Sequence, residues 1–271
     1  MDRNVSAETV AGFASLFQGG NMAQSLPEGG FYPMENPDGS FYPATGEAYQ
    51  KAVEGHLRRE GEGIGVYPLM ALQGPEGALE AFTAWWGCVD WDEGRHESFV
   101  HAKNVHEVLA QIGIKGWVER SRSKGFHLWV FFTEPLAARV VRDGLIGVCN
   151  IVNAPTKEVN PKQISLIGKK IGNGMRLPYP ALREPGQHEM LNPKATYSQI
   201  PTADSFVTEA LQTRVTGEQW EAAVVLYKKN EPPPVRRASY SYTGRRLTGP
   251  AEAIRRNGPR ITSDKPHGDR S

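Results

Sequence analysis

One segment constrains the fold of this chain more than any other. Residues 81–92, AFTAWWGCVDWD, are apolar and aromatic until they end in two aspartates. A run of this composition is typical of a buried β-strand. Side chains alternate between the two faces of a strand, so Asp90 and Asp92 point to one side and Trp91 to the other. The chain is therefore expected to fold around a buried strand whose end presents two converging carboxylates.

The two aspartates are a candidate metal site. Neighbouring carboxylates in a partly buried position repel each other unless a cation joins them. Mg²⁺ and Mn²⁺ prefer oxygen ligands and keep positions open for water and phosphate oxygens. A D-x-D pair alone is a common pattern, however, and Asp90 and Asp92 could equally cap turns at the end of the strand.

The segments around this strand alternate between strand-like and helix-like patterns, as they do in α/β and α+β domains. Residues 116–132, GWVERSRSKGFHLWVFF, have two strand-like halves around Lys124-Gly125, which predicts a β-hairpin. Helices are predicted over residues 102–114 and 216–229, and a third is expected to begin near Pro135.

The basic residues are concentrated in the middle of the chain. Residues 115–183 hold 12 Lys and Arg against 4 Asp and Glu, whereas residues 1–114 hold 6 against 16. Such asymmetry is typical of a surface that binds a polyanion, although an ordinary solvated surface gives the same composition.

The two ends of the chain give weaker signals. Residues 1–230 are predicted to form the folded part, and residues 231–271 a Pro- and Arg-rich tail that is either a flexible linker or a basic arm on nucleic acid. No run of 18 apolar residues occurs and the first residues lack a basic start with a cleavage site. We therefore expect a cytoplasmic protein without a membrane partner.

Two further motifs carry groups suited to phosphate binding. In SRSKGFHLWVFF, His127 can present a ring N–H at the end of a strand, with Ser123 as a second donor, although a histidine there is often only a core residue.

In KEVNPKQ, Glu158 could be a third carboxylate. Lys162 and, in IGNGMRLPYP, Asn173 and Arg176 offer donors, unless all of these are exposed loop residues.

The order of these motifs resembles that of the archaeo-eukaryotic primase superfamily. DWD, SKGFHLWVFF, KEVNPKQ and GNGMRLP follow one another as in the primase-polymerases of bacterial mobile elements, phages and conflict systems. The resemblance covers about residues 55–200. It implies an α+β fold in which an RRM-like antiparallel sheet carries the active site and packs against a second small α/β unit, with an extended basic C-terminal tail.

The resemblance also implies roles for individual residues. Asp90, Asp92 and Glu158 would be the catalytic acids and the ligands of two Mg²⁺ or Mn²⁺ ions. The residues implied to contact the nucleotide are Ser123, Lys124, His127, Lys162, Asn173 and Arg176. Those expected on nucleic acid are Arg120, Arg122, Lys169 and Lys170. No structural zinc is expected, because Cys88 and Cys149 are isolated and no Cys/His cluster accompanies the motifs.

The implied activity is template-dependent nucleotidyl transfer that synthesises or extends primers on DNA. Its partners would be a DNA template and primer, nucleoside triphosphates and, in a bacterial or phage-infected cell, a replicative helicase or other replication protein. Two other functions stay open: single-stranded nucleic-acid binding without catalysis, and a metal-dependent nuclease.

Overall fold

The computed structural model describes residues 5–26, 30–58, 63–74, 77–168, 171–181, 183–200 and 202–230, and the predicted tail lies outside them. Within these ranges the α-helices are α1 (Ala7–Leu16), α2 (Gly46–Arg58), α3 (Arg95–Gln111), α4 (Ala138–Ile151), α5 (Ala203–Gln212) and α6 (Gly217–Asn230). The strands are β1 (Asn21–Ser25), β2 (Phe31–Pro33), β3 (Ile64–Tyr67), β4 (Met70–Gln73), β5 (Leu79–Trp91), β6 (Trp117–Arg120), β7 (Phe126–Ala137), β8 (Val159–Asn160), β9 (Met175–Arg176), β10 (Glu189–Asn192) and β11 (Ser198–Gln199). The predicted α+β class is confirmed.

The strands form two antiparallel sheets. The larger sheet has the order β11-β10-β6-β7-β5-β4, with β8 paired to β5. The smaller sheet has the order β2-β1-β3-β9. Because β9 follows β8 along the chain but pairs in the other sheet, residues 161–174 carry the chain from the larger sheet to the smaller one.

The larger sheet is buried on both faces, as the apolar composition of β5 and β7 requires. One face packs against α1, α5 and the smaller sheet, through large aromatic side chains such as Trp86, Trp117 and Trp129. The opposite face packs against α3, α4 and α6, with Val89, Trp91 and Leu128. Residues that follow one another along a strand of this sheet therefore pack into different hydrophobic cores, one on each face.

The sequence located most of these elements but misplaced the start of two helices. The helix predicted over residues 102–114 is α3, which begins seven residues earlier, at Arg95, because its first turn is polar and lacks the apolar spacing that marked the rest of the helix. The hairpin around Lys124-Gly125 is β6 and β7, as predicted. The helix expected to begin near Pro135 begins at Ala138, because β7 continues through Pro135 to Ala137 and pairs with the first half of β5. The pairing of β5 and β7 shifts between Ala84 and Trp86, next to the proline, where a missing backbone N–H is tolerated.

In the described ranges, none of the helices combines the length and the apolar character that a membrane span requires.

Candidate active site

The ends of three neighbouring strands place an acid, a histidine and a second acid side by side. His127 on β7 is registered with Asp90 on β5 and with Glu119 on β6. Residues opposite one another in antiparallel pairs point to the same face, so the three side chains form a row across the sheet. The Nε2 of His127 lies 3.4 Å from Asp90 Oδ1, and its Nδ1 lies 2.8 Å from Glu119 Oε2. The imidazole ring therefore bridges two carboxylates.

Glu119 is the buried end of this row. Its carboxylate accepts hydrogen bonds from Trp129 Nε1 at 2.7 Å and from His127, and its other oxygen lies 3.4 Å from Nδ1 of His188. A fully buried carboxylate is tolerated only where its charge is compensated. Burial alone would raise the pKa of Glu119, but the two histidines outweigh burial and lower the pKa. Glu119 therefore carries a negative charge beneath the ring of His127.

The two carboxylates keep His127 protonated. Burial alone would lower the pKa of His127, but the charges of Glu119 and Asp90 raise it to about 10. The ring is therefore an imidazolium at neutral pH and carries an N–H on both nitrogens. Glu119 accepts one N–H, and the other, on Nε2, lies beside Asp90. A fixed cation of this kind is a suitable donor for a phosphate oxygen.

A cavity of about 400 Å³ lies beside the row and draws its lining from both sheets. The larger sheet and the hairpin turn supply Asp90, Asp92, Ser121, Arg122, Ser123, His127 and His188. The smaller sheet and the residues that flank it supply Gly30, Phe31, Gly174, Met175 and Arg176. The cavity thus brings two carboxylates together with arginine, histidine and hydroxyl donors.

The smaller sheet determines where Arg176 lies. Arg176 is registered with Gly65 on β3, and its Nη2 donates to the backbone carbonyl of Gly30 at 3.0 Å. Gly174 precedes β9, and a Cβ there would lie 2.8 Å from the Phe31 ring and 3.1 Å from Tyr67. The glycine of GNGMRLP therefore lets β9 approach these two rings, and the approach brings Arg176 to the cavity.

The hairpin turn approaches the end of β5 closely at Gly125. A Cβ on Gly125 would lie 2.7 Å from the carbonyl oxygen of Trp91 and 2.9 Å from Ser121 Oγ. Gly125→Ala must displace the turn from the end of β5, so we expect a loss of about 1–3 kcal/mol in the free energy of unfolding. Denaturant titration measures it. Lys124→Ala, in the same turn but exposed, is the control. Equal stability of both variants would contradict this reading.

Several residues named from the sequence share the cavity. Asp90, Asp92, Ser123, His127 and Arg176 all line it, and so does Arg122, which was expected to contact nucleic acid. The motifs DWD, SKGFHLWVFF and GNGMRLP thus meet in space. Their proposed roles as ligands and nucleotide contacts remain predictions.

The other predicted residues lie elsewhere. Glu158 neighbours Asp90 through its backbone, since its carbonyl accepts from Asp90 N at 3.1 Å, but its carboxylate is held by Lys162 Nζ at 2.7 and 2.8 Å. Asn173 is bonded through its backbone N to Gln163 Oε1 at 2.8 Å. Lys124 is exposed in the turn. Lys169 and Lys170 lie outside the described residues.

Arg120 lies on the opposite face of the sheet from the row formed by Asp90, His127 and Glu119. It follows Glu119 on β6, and alternation directs it toward α3, where it lines a second cavity with Arg95. The two arginines of the hairpin expected to contact nucleic acid, Arg120 and Arg122, therefore lie in different cavities.

The donor set suits a hard divalent cation only in part. Asp90 and Asp92 present carboxylate oxygens in the same cavity as the hydroxyls of Ser121 and Ser123, which is the donor chemistry that Mg²⁺ and Mn²⁺ prefer. Among the described residues no group of three or more His, Cys, Asp and Glu side chains is arranged to hold a metal. Phosphate oxygens and water would have to complete the coordination of an ion held by the two aspartates.

Sequence reasoning missed Glu119, His188 and Phe31. Glu119 had a usable signal: in WVER it occupies the same face as Trp117, and an acid that points into an aromatic core needs a partner for its charge. His188 had no such signal, because it reaches Glu119 only through the pairing of β10 with β6.

Most of the residues that line the cavity lie in a segment that matches a known protein family. The sequence model described as "TOTE conflict system, Archaeo-Eukaryotic Primase domain" matches residues 40–188, more than half of the chain. Comparison with curated proteins found no significant match. Among solved structures, the polymerase domain of Mycobacterium tuberculosis Ligase D in complex with DNA is similar, with 17% identity and a TM-score of 0.43. The similarity covers 76% of this chain and 87% of that domain.

Proposed function

Since this chain belongs to the archaeo-eukaryotic primase family of TOTE conflict systems, we propose that it is a template-dependent nucleotidyltransferase that synthesises or extends primers on DNA. Membership of the family supports a nucleotidyl transfer activity on DNA. The finer proposal is that nucleoside triphosphates are the substrates and that two Mg²⁺ or Mn²⁺ ions are required. One observation carries it: Asp90, Asp92, His127 and Arg176 line the same cavity.

The proposed reaction is attack of a primer 3′-hydroxyl on the α-phosphorus of a bound triphosphate. A new phosphodiester bond forms, the bond between the α- and β-phosphates breaks, and pyrophosphate leaves. Phosphoryl chemistry of this kind depends mainly on positioning and charge stabilisation. Divalent ions held by Asp90 and Asp92 would activate the hydroxyl and neutralise the leaving oxygen.

The cationic side of the cavity suits the triphosphate. The Nε2–H of His127 is held in place by the bond between Nδ1 and Glu119, so little reorganisation is needed when a phosphate binds. Arg176 lies on the other sheet and offers a planar guanidinium, which can donate two parallel hydrogen bonds to phosphate oxygens. Ser123 adds a hydroxyl donor from the hairpin turn. We propose that these three side chains orient the triphosphate between the two sheets.

We propose Glu158 as the third acid on the condition that Lys162 releases its carboxylate. Its backbone neighbours Asp90, but its carboxylate is paired with Lys162. Glu158 would join the acids only if Lys162 moved to a phosphate, which would give both residues the roles expected from the sequence. Lys124 and Asn173 do not line the cavity, but each is next in sequence to a residue that does, Ser123 and Gly174, and both remain proposed nucleotide contacts.

The DNA partner is proposed from the basic middle of the chain. Arg122 lines the cavity, and Arg120, Lys169 and Lys170 belong to the same basic region of the sequence. Contacts of this type bind the phosphate backbone without reading bases, and their strength falls as salt increases. A cytoplasmic location and a replication partner such as a helicase complete the proposal.

Primer extension tests the proposal. Protein, a labelled primer on a template, nucleoside triphosphates and Mg²⁺ or Mn²⁺ are incubated, and product length is measured. We expect longer products that follow the template sequence. Shorter products would indicate a nuclease, and an unchanged primer would leave a nucleic-acid-binding protein as the alternative.

Arg176→Ala gives a quantitative prediction for the triphosphate contact. Loss of a charge-assisted bond to a phosphate should raise KM for the nucleotide by about tenfold or more. Steady-state extension kinetics measures it, and the affinity for template-primer alone should be unchanged. Arg139→Ala, an exposed arginine on α4, is the matched control. A KM equal to that of the control would remove Arg176 from the proposed site.

A further inference from the structure

A second cavity, of about 420 Å³, lies on the helical face of the larger sheet. Its lining includes Arg95 from the start of α3, Arg120 from the end of β6, and the rings of Phe99, Phe126 and Tyr197. Arg120 and Phe126 are registered neighbours of β6 and β7 and therefore lie side by side on this face. The cavity thus combines two cations with three aromatic rings, and it is separate from the row formed by Asp90, His127 and Glu119.

Arg95 and Arg120 line the same cavity, and the acid registered opposite Arg120 on β10 is Glu189. The Nε of Arg120 is buried and has no hydrogen-bond partner among the described residues. Burial lowers the pKa of Arg120, and so does the nearby charge of Arg95. Glu189 favours the charge of Arg120, but its carboxylate is paired with Arg183 at 2.9 Å. Arg95 is also the first residue of α3, where the helix dipole disfavours a cation. A bound anion would relieve both unfavourable positions.

The aromatic rings form a fixed wall beside these cations. The Phe99 ring lies 5.2 Å from the Phe126 ring and 5.4 Å from the Tyr197 ring, which is perpendicular to it. Tyr197 has a φ of 57°, a left-handed conformation that is costly for a tyrosine and persists only where its surroundings require it. Its hydroxyl is bonded to Nδ1 of His106 at 3.0 Å. The ring is therefore held at the cavity by both backbone and side chain.

We propose that this cavity binds one unpaired nucleotide of a DNA strand, with its base against the aromatic wall and its phosphate on Arg95 and Arg120. Every base has a face that can stack on an aromatic ring, so such a site tolerates any sequence. An arginine pair supplies the charge-assisted donors that a phosphate requires. The site would thus hold single-stranded DNA outside the catalytic cavity.

The turn of the β6–β7 hairpin lies between the two cavities, which favours a DNA strand over a free nucleotide as the ligand of the second cavity. Arg120 lines the second cavity, and the three residues that follow it, Ser121, Arg122 and Ser123, line the catalytic cavity. The two cavities therefore share one turn of the chain, and a strand that passes this turn can occupy both. This inference rests on the proposed function, since it takes the strand to be the template.

Binding of single-stranded DNA tests the proposal in the full-length chain. An Asp90→Asn background, without nucleotide or divalent ions, separates binding from catalysis, and fluorescence anisotropy with labelled oligothymidine gives the affinity. We expect Arg95→Glu to weaken binding by about tenfold or more and to reduce the slope of log K against log salt by about one. Arg95 is exposed, so the fold should survive, and Arg139→Glu is the charge-matched control.

A base analogue, 2-aminopurine, tests the aromatic wall and distinguishes the source of the nucleotide. Placed singly along the template overhang, it should be quenched at one position, and Tyr197→Ala should remove that quenching. Equal affinity of the Arg95→Glu and Arg139→Glu variants would overturn the proposal. So would competition by a free mononucleotide that displaces the strand in the parent chain but not in Arg95→Glu. If Arg95→Glu weakens binding but the chain with Asp90 intact does not extend primers, the second cavity stands and the proposed polymerase function fails.

Discussion

Asp92→Asn is expected to reduce metal-dependent primer extension by about a thousandfold or more, the cost of losing several kcal/mol of transition-state stabilisation from a metal ligand. Asp90→Asn should have a similar effect. The change keeps the shape of each side chain and removes the charge that a divalent cation needs. Rates of single-nucleotide addition measure the loss.

Two controls separate this effect from a change in the fold. Asp92 is exposed, so Asp92→Asn should leave the unfolding temperature unchanged. Glu93→Gln removes an adjacent exposed carboxylate that does not line the cavity, and it should extend primers at the parent rate. An Asp92→Asn chain as active as the Glu93→Gln chain would contradict the proposed role of the two aspartates.

The second large effect is expected at Glu119. Glu119→Gln removes the buried charge that compensates His127 and His188, and breaking such a pair typically costs about 3–5 kcal/mol of stability. Denaturant unfolding at neutral pH measures this loss. Glu134→Gln, an acid that is exposed on β7, is the control and should cost far less. Equal stability of the Glu119→Gln chain and the control would contradict a stabilising ionic interaction of Glu119 with His127 and His188.

The same pair predicts how stability depends on pH. The pKa of Glu119 is lowered to about 2, so its contribution is present above its ordinary value near 4.5 and is lost as pH falls toward 2. The pKa of His127 is raised to about 10, so its contribution is complete below 6.5 and is lost as pH rises toward 10. Stability from the pair should therefore be greatest between about pH 4.5 and 6.5.

Glu119→Gln should also change catalysis through His127. Without the carboxylate, only Asp90 opposes the effect of burial, so the pKa of the histidine should fall and its proton should be lost at a lower pH than in the parent chain. Extension by the variant is then expected to fall with rising pH at a lower pH than extension by the parent chain. NMR titration of the His127 ring distinguishes this from a general loss of structure. An unshifted His127 titration in the variant would contradict the positioning role of Glu119.

Local signals made part of this site predictable. The apolar run that ends in Asp90 and Asp92 fixed a buried strand and the shared side of the two acids, because alternation is a property of the backbone. The turn at Lys124-Gly125 predicted the hairpin that carries His127 to its position opposite Asp90. Each of these inferences used residues that are close in sequence.

The remainder depended on pairings between distant segments. His188 reaches Glu119 only because β10 pairs with β6. Arg176 reaches the cavity only because β9 pairs with β3 in the smaller sheet. The bond between Glu158 and Lys162 was equally hidden, although the two residues are four apart, because the sequence does not show whether an acid faces a metal or a lysine. Motif order identified the family, whereas contacts within the site required the fold.

Anomalous diffraction from crystals soaked with Mn²⁺ and a non-hydrolysable nucleoside triphosphate tests the central claim most directly. The account predicts manganese peaks bound by the carboxylates of Asp90 and Asp92, with the triphosphate extending toward His127 and Arg176. Manganese on scattered surface acids, with no nucleotide in the cavity between the two sheets, would contradict it.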